Sequence, residues 1–134
     1  MPDTPLQKRT FYSDRVPASA APHSHAVRSG GLLFVCGCPP LTASGELARG
    51  NFATQMRNCL TNVRSILEDA GSSLDQVLKV NVYLDRISDF STMNEIYREF
   101  FGNDPASWPA RTSVQARLPN ADFLIEIDCI AEIH

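Results

Sequence analysis

The stretch SWPARTSVQARLP, residues 107–119, sets an arginine where an extended segment begins. Pro109 and Pro119 frame a run that reads as a short strand, and Arg111 stands at its entry behind Pro109 and Ala110. A guanidinium is a planar fork of donors that can grip a carboxylate through two parallel hydrogen bonds. A rigid proline just upstream limits where that fork can point. Arg111 is thus either a solvated surface charge or a group aimed at an anion. Two closely spaced pairs, His23-x-His25 and Cys36-x-Cys38, raise a different chemistry. On extended backbone, residues two apart face the same way, so the pairs together offer the donors of a Cys2His2 zinc site. Zinc sites space their pairs more widely, as C-x2–4-C and H-x3–5-H, so no metal is expected.

These residues need elements to hold them. GGLLFVCGCPP is a short apolar run between glycines and prolines, which predicts a buried strand over 32–36, and the turn-rich LTASGELARG follows. From Asn51 the spacing changes: Phe52, Met56, Cys59, Leu60, Val63 and Ile66 recur at three- and four-residue steps, the apolar face of a helix. Asn51 suits its N-cap and Gly71 its stop. VLKVNVYLD alternates, with Val80, Val82 and Leu84 on one face, and predicts a strand. ISDFSTMNEIYREFFG predicts a second amphipathic helix, capped by Ser88 or Asp89, with Phe90, Met93, Ile96, Tyr97 and Phe100 inward and Gly102 at its end. In the last segment, FLIEIDCIAEI, the odd positions from Phe123 to Ile133 are all apolar, whereas the even face mixes Leu124 and Ile130 with Glu126, Asp128 and Glu132. The odd face predicts a central strand under helices. The mixed face fits an oligomer interface or a polar cleft. The patterning alone counts five strands and two helices, an α+β domain with both helices on one face of a mixed sheet.

Composition sets the outer bounds. A chain of 134 residues fits one domain with a real core. With 12 basic and 15 acidic residues, the net charge of −3 gives no footprint for nucleic acid. No apolar run approaches the ~18 residues of a membrane span, so no membrane partner is expected. The opening MPDTPLQKRTFYSD is polar with no signal-like segment, so a cytoplasmic location is expected. Cys36, Cys38, Cys59 and Cys129 are scattered and read as buried thiols rather than a disulfide framework.

Several motifs then line up: APHSHAV, LLFVCG, QMRNCLTNVRSILEDAG, VLKVNVYLDRISDFSTMNEIYREFF, WPARTSVQARLP and LIEIDCIA. Together, over residues 17–133, they resemble the reactive intermediate deaminase (Rid, or YjgF) family, also known as the L-PSP endoribonuclease-like family. The resemblance implies a chorismate-mutase-like fold of six strands and two helices, assembled as a homotrimer with three clefts between subunits. It also implies cofactor-independent hydrolysis of enamines and imines derived from amino acids, giving 2-oxo acids and ammonia. By that resemblance Arg111 holds the substrate carboxylate, and Glu126 positions or deprotonates the attacking water. Asn94 matches a structural helix position, and Ser113 falls where well-known members carry a cysteine near the substrate. His23 replaces a tyrosine of the cleft in the family's GPYSQ motif; Cys36 and Cys38 replace the serine and glutamine of its SGQ.

Each residue has a plainer reading. Glu126 could be a solvent-facing strand residue or an interface salt-bridge partner, His23 an exposed loop histidine, and Ser113 an ordinary strand position. Three functions therefore compete. One is an enamine/imine deaminase. The second is a non-catalytic trimer that binds small carboxylates and regulates or protects a partner. The third, an RNA-cleaving protein, ranks last because the acidic balance opposes it. Glu126 favours the first, since a pure carboxylate binder gains nothing from an acid beside its ligand, whereas His23 and Cys36 in place of a tyrosine and a serine favour the second.

Overall fold

In the computed structural model, which describes residues 8–133, six strands form one mixed sheet and two helices cover one of its faces. The first seven residues of the polar opening stretch lie outside the described residues. The strands are β1 (Arg9–Phe11), β2 (Ala26–Ser29), β3 (Leu32–Cys38), β4 (Val77–Leu84), β5 (Ala110–Gln115) and β6 (Ile125–Glu132). Helix α1 (Phe52–Asp69) joins β3 to β4, and α2 (Phe90–Phe101) joins β4 to β5. Across the sheet the order is β1-β2-β3-β6-β4-β5. Of these pairs only β4–β5 is parallel, and α2 makes the crossover that a parallel pair requires. This is the six-stranded α+β architecture that the resemblance implies; β1 is the strand that patterning alone does not count. No helix among the described residues is long and apolar enough to cross a membrane.

Helix α1 starts and stops where its caps dictate. Asn51 Oδ1 accepts a hydrogen bond from the Thr54 N–H (3.0 Å), and Gly71 takes φ +89° just beyond the last turn. Its face of Met56, Cys59, Leu60, Val63, Ile66 and Leu67 is buried. The sheet side of that core is Ile125, Ile127, Cys129 and Ala131 of β6, flanked by Val80, Val82 and Leu84 of β4. One polar side chain sits fully buried in this layer. Gln55 Nε2 donates to Ala48 O (3.0 Å) and Asp122 O (3.1 Å), and its Oε1 accepts from the Leu124 N–H (2.8 Å). It thereby ties both loops at this end of the sheet to α1.

Four expectations need correction. First, Phe90 is the opening residue of α2 and is 40% exposed rather than inward, its ring 5.8 Å from the Arg111 guanidinium. Second, Phe101 takes the buried place expected of Phe100, which is half-buried with the Arg64 guanidinium 5.4 Å from its ring centre. Third, Asp89 flanks α2 without capping it, because Arg86 Nε donates to its carboxylate (3.0 Å). Fourth, β3 runs on past residue 36 to Cys38 with a bulge between Val35 and Cys38. The extra residue brings Cys38 into the core with Leu33 and Val35, and leaves Cys36 half-buried.

Among the described residues, no helix covers the other face of the sheet. Phe34 (42% exposed), Leu32 (37%) and Val114 (42%) stand there with half-buried Ile130, Glu126 and Asp128. Asp128 is held by Asn81 Nδ2 (2.7 Å) and by the Tyr83 hydroxyl (2.8 Å). That bond and burial push the Tyr83 hydroxyl up to about 12.

Candidate active site

Arg111 is the second residue of β5, and its position along the sheet decides where it points. It pairs with Val80 of β4, a core residue, so its side chain rises on the helix-covered face. There Arg111 Nη2 donates to Asn94 Oδ1 of α2 (2.8 Å), and the guanidinium carbon lies 4.8 Å from the centre of the Tyr97 ring. Phe90 flanks it at 5.8 Å. The guanidinium is half-buried and forms no ion pair among the described residues. One nitrogen is braced on a neutral amide, so the rest of the fork remains to receive an anion. Asn94, Tyr97, Arg98, Trp108, Pro109 and Arg111 enclose a recess of about 370 Å3. Two buried hydroxyls on this side of the sheet, Tyr97 OH and Ser113 Oγ, have no hydrogen-bond partner among the described residues. Burial pushes the Tyr97 hydroxyl up to about 12 against the opposing pull of Arg111, so it stays a neutral donor.

Glu126 stands elsewhere. It is opposite Tyr83 in the β4–β6 pairing, on the uncovered face, and lines a larger cavity of about 580 Å3 with His23, Cys36 and Gly37. The cavity also reaches Asn62 and Ile66 of α1, because Cys38–Ile127 is the last pair between β3 and β6 and the sheet opens beyond it. The bulge at the end of β3 brings Gly37 against Glu126: a Cβ on Gly37 would sit 2.7 Å from Glu126 Oε2. Burial, then the neighbouring Asp128 charge, raise the Glu126 carboxyl above its ordinary value, with His23 pulling weakly the other way. Such a carboxylate is a better proton acceptor than an exposed one. The Cys36 thiol is lowered by its contact with Cys38, against burial and the Glu126 charge, while Cys38 is pushed well up.

The structure does not bring Arg111 and Glu126 together within one chain. They lie two strands and three residues apart in register, about 14 Å between backbones, and on opposite faces of the sheet. Ser113, opposite the core residue Val82, goes with Arg111, whereas His23 and Cys36 go with Glu126. The sequence-derived site is therefore two half-sites, one on each side of the sheet.

Nor do the close pairs behave alike. His23 is exposed on a loop, its Nδ1 3.1 Å from Ser24 O, whereas His25 is buried and its Nδ1 accepts from the Ser13 N–H (2.9 Å). Residues 23 and 25 precede β2, so the shared face that extended backbone would impose is not formed. Among the described residues, no group of three or more His, Cys, Asp or Glu side chains is arranged to hold a metal ion. Sequence reasoning passed over Tyr97 as plain core. Its signal was a hydroxyl at an inward helix position, which needs a partner that an apolar core does not supply.

Comparison with known proteins agrees with this architecture. The profile of the endoribonuclease L-PSP family matches residues 13–133. RutC family protein PH0854 of Pyrococcus horikoshii is 43% identical over 126 residues, 92% of this chain and 97% of that protein. "Putative reactive intermediate deaminase TdcF" of Escherichia coli K12 is 35% identical over 126 residues, 92% and 96% of the two. Among solved structures, that of E. coli TdcF with bound serine superposes with a TM-score of 0.86 at 33% identity, covering 94% of this chain and 99% of that one. The YjgF gene product of E. coli does so with the same score at 34% identity, over 94% and 99%. A family match spanning nearly all the described residues, with relatives this similar along their whole length, establishes that the chain belongs to the endoribonuclease L-PSP family, that of the YjgF and Rid proteins.

Proposed function

We propose that the protein hydrolyses 2-imino and 2-enamino acids derived from amino acids to 2-oxo acids and ammonia, in clefts between the subunits of a homotrimer. The observation that carries this reading is Arg111: half-buried, braced by Asn94 and laid on Tyr97, with no acidic partner among the described residues. A guanidinium drawn half out of water without a counter-ion loses part of its hydration, and a ligand carboxylate offsets that loss. Each half-site holds one of the groups the reaction needs. A second copy on the uncovered sheet face, where Phe34, Leu32 and Val114 are exposed, would set Glu126 of one subunit against Arg111 of the next. That face is apolar enough to reward such docking.

In the cleft, the enamine tautomerises to its imine while its carboxylate rests on Arg111. Glu126 takes a proton from water, whose oxygen adds to the imine carbon, and the nitrogen gains a proton. The carbinolamine collapses: the C–N bond breaks, ammonia leaves and the carbinol proton returns through Glu126. Imines hydrolyse in water unaided, so positioning and one proton relay suffice, the relay contributing ~10²- to 10⁴-fold. A carboxyl raised by burial suits this relay. The bound serine in the TdcF structure also supports an amino-acid-like ligand.

The second reading, a non-catalytic carboxylate binder with a regulatory or protective role, uses the same Arg111 recess. It is favoured by His23 and Cys36 standing where a tyrosine and a serine are expected. RNA cleavage gains nothing from a net charge of −3 or from Glu126 and Asp128 on the open face. The test generates imines in situ with an amino-acid oxidase and follows ammonia and 2-oxo acid release. Acceleration by the wild type that is lost in Arg111→Ala is expected. A folded, assembled protein that accelerates none of them leaves the binder as the function.

A further inference from the structure

Glu126 is at one part of a cavity whose depth the imine chemistry leaves unused. That depth runs between α1 and residues 16–21, with walls of Val16, Pro17, Leu41, Ile66 and Phe123. Its amide, Asn62, is already committed: Nδ2 donates to Pro39 O (3.0 Å) and Leu41 O (2.8 Å). Among the described residues no Lys or Arg lines it. A second imidazole on its wall, besides that of the exposed His23, is uncommitted at one nitrogen. His25 is only 6% exposed, its ring set 5.5 Å from that of Tyr12. The Ser13 N–H donates to its Nδ1 (2.9 Å), and a backbone N–H can donate only to a ring nitrogen that carries no proton. The proton of the ring therefore sits on Nε2, and nothing among the described residues accepts it. The ring is buried and lines the cavity, so its Nε2–H is a donor available to an apolar chamber next to the carboxylate that would do the chemistry.

On the reading that the cleft hydrolyses imines, we propose that this chamber is its side-chain subsite, taking large neutral side chains tipped with a hydrogen-bond acceptor for His25 Nε2–H. A cavity of about 580 Å3 is in the range of sites for sizeable ligands, and a three-carbon imine leaves most of it empty. Anionic side chains are disfavoured, because the chamber has the Glu126 carboxylate and, among the described residues, no Lys or Arg to oppose it. An acceptor at the tip meets a donor that is otherwise without a protein partner.

The test compares imines made in situ from tyrosine, phenylalanine, alanine and glutamate. In kcat/KM, both aromatic imines should exceed the alanine-derived one by at least about tenfold, with the glutamate-derived one lowest. Tyrosine should exceed phenylalanine by ~3- to 10-fold, one neutral hydrogen bond. His25→Asn keeps an acceptor for the Ser13 N–H where Nδ1 stood and deletes the Nε2 donor, so it should bring the tyrosine-to-phenylalanine ratio to about one. Ala18→Trp, on the exposed side of the chamber, should turn the preference toward the alanine-derived imine. An alanine-derived imine turned over as well as the aromatic ones, or a tyrosine preference that survives His25→Asn in folded protein, overturns the subsite. If no imine is hydrolysed the reaction itself fails. The subsite is then judged by calorimetry, standing if the 2-oxo acid of tyrosine binds at least tenfold more tightly than pyruvate and falling if it does not.

Discussion

Gly37→Ala isolates the placement of the proposed base. Gly37 has no positive φ, so alanine meets no backbone strain there. What it meets is Glu126: the added carbon would lie 2.7 Å from Oε2 and 2.9 Å from Cδ, where ordinary contact begins at 3.4 Å. The carboxylate must therefore retreat by about 0.5–0.7 Å or turn away. A displacement of that order in a catalytic group lowers kcat by roughly 10- to 100-fold. Folding stability should stay within about 1 kcal/mol, because alanine also reduces the freedom of the unfolded chain. Imine turnover and urea unfolding, run side by side, read the two effects separately. Shortening the acid returns the room, so Gly37→Ala with Glu126→Asp should be less impaired than the product of the two single losses. Wild-type kcat in Gly37→Ala would refute the assignment of Glu126. A collapse of stability would show that the contact serves the fold instead.

Other consequences of the same geometry can be measured with simple variants. Arg111→Lys should be nearly as impaired as Arg111→Ala, both raising KM about 10²-fold or more, because an ammonium cannot reproduce a fork held by Asn94; recovery in the lysine variant would contradict bidentate capture. With Glu126 as the proposed base, activity should fall as pH drops through a value above the ordinary 4.5, and Asp128→Asn should move that limb to lower pH. A carboxyl raised in the folded state favours folding below its unfolded value and loses that contribution as pH rises through its folded one, so Glu126→Gln should melt higher than wild type at neutral pH. Gln55→Leu removes three buried hydrogen bonds and strands the Leu124 N–H, which should lower stability by about 2–4 kcal/mol in urea unfolding.

Much of this fold is written locally in the sequence. Asn51, Gly71 and the apolar steps between them define α1 to within a residue or two, since cap and face are both short-range properties. The odd positions of β6 mark its core side for the same reason. Strand β1 has three residues, none of them buried, so no periodicity announces it. The bulge after Val35 is equally silent, and it decides that Cys38 rather than Gly37 turns into the core. The separation of Arg111 from Glu126 was hidden differently. The β6 pattern puts Glu126 on the open face, but ARTSVQ has no apolar alternation, so only its pairing with β4 fixes which way Arg111 points. The family resemblance points to both residues, yet a linear motif cannot say that one chain holds them on opposite sides of a sheet.

That separation makes the central claim directly testable by subunit complementation. Arg111→Ala and Glu126→Gln chains, each inactive alone, are coexpressed in equal amounts with different tags, and the mixed assemblies are isolated and assayed. If every cleft of a trimer takes Arg111 from one subunit and Glu126 from its neighbour, each mixed trimer has one wild-type cleft in three, and imine hydrolysis by the isolated mixed assemblies returns to about a third of the wild-type level. Mixed assemblies as inactive as their parents would contradict a shared cleft, and with it the account of how this protein works.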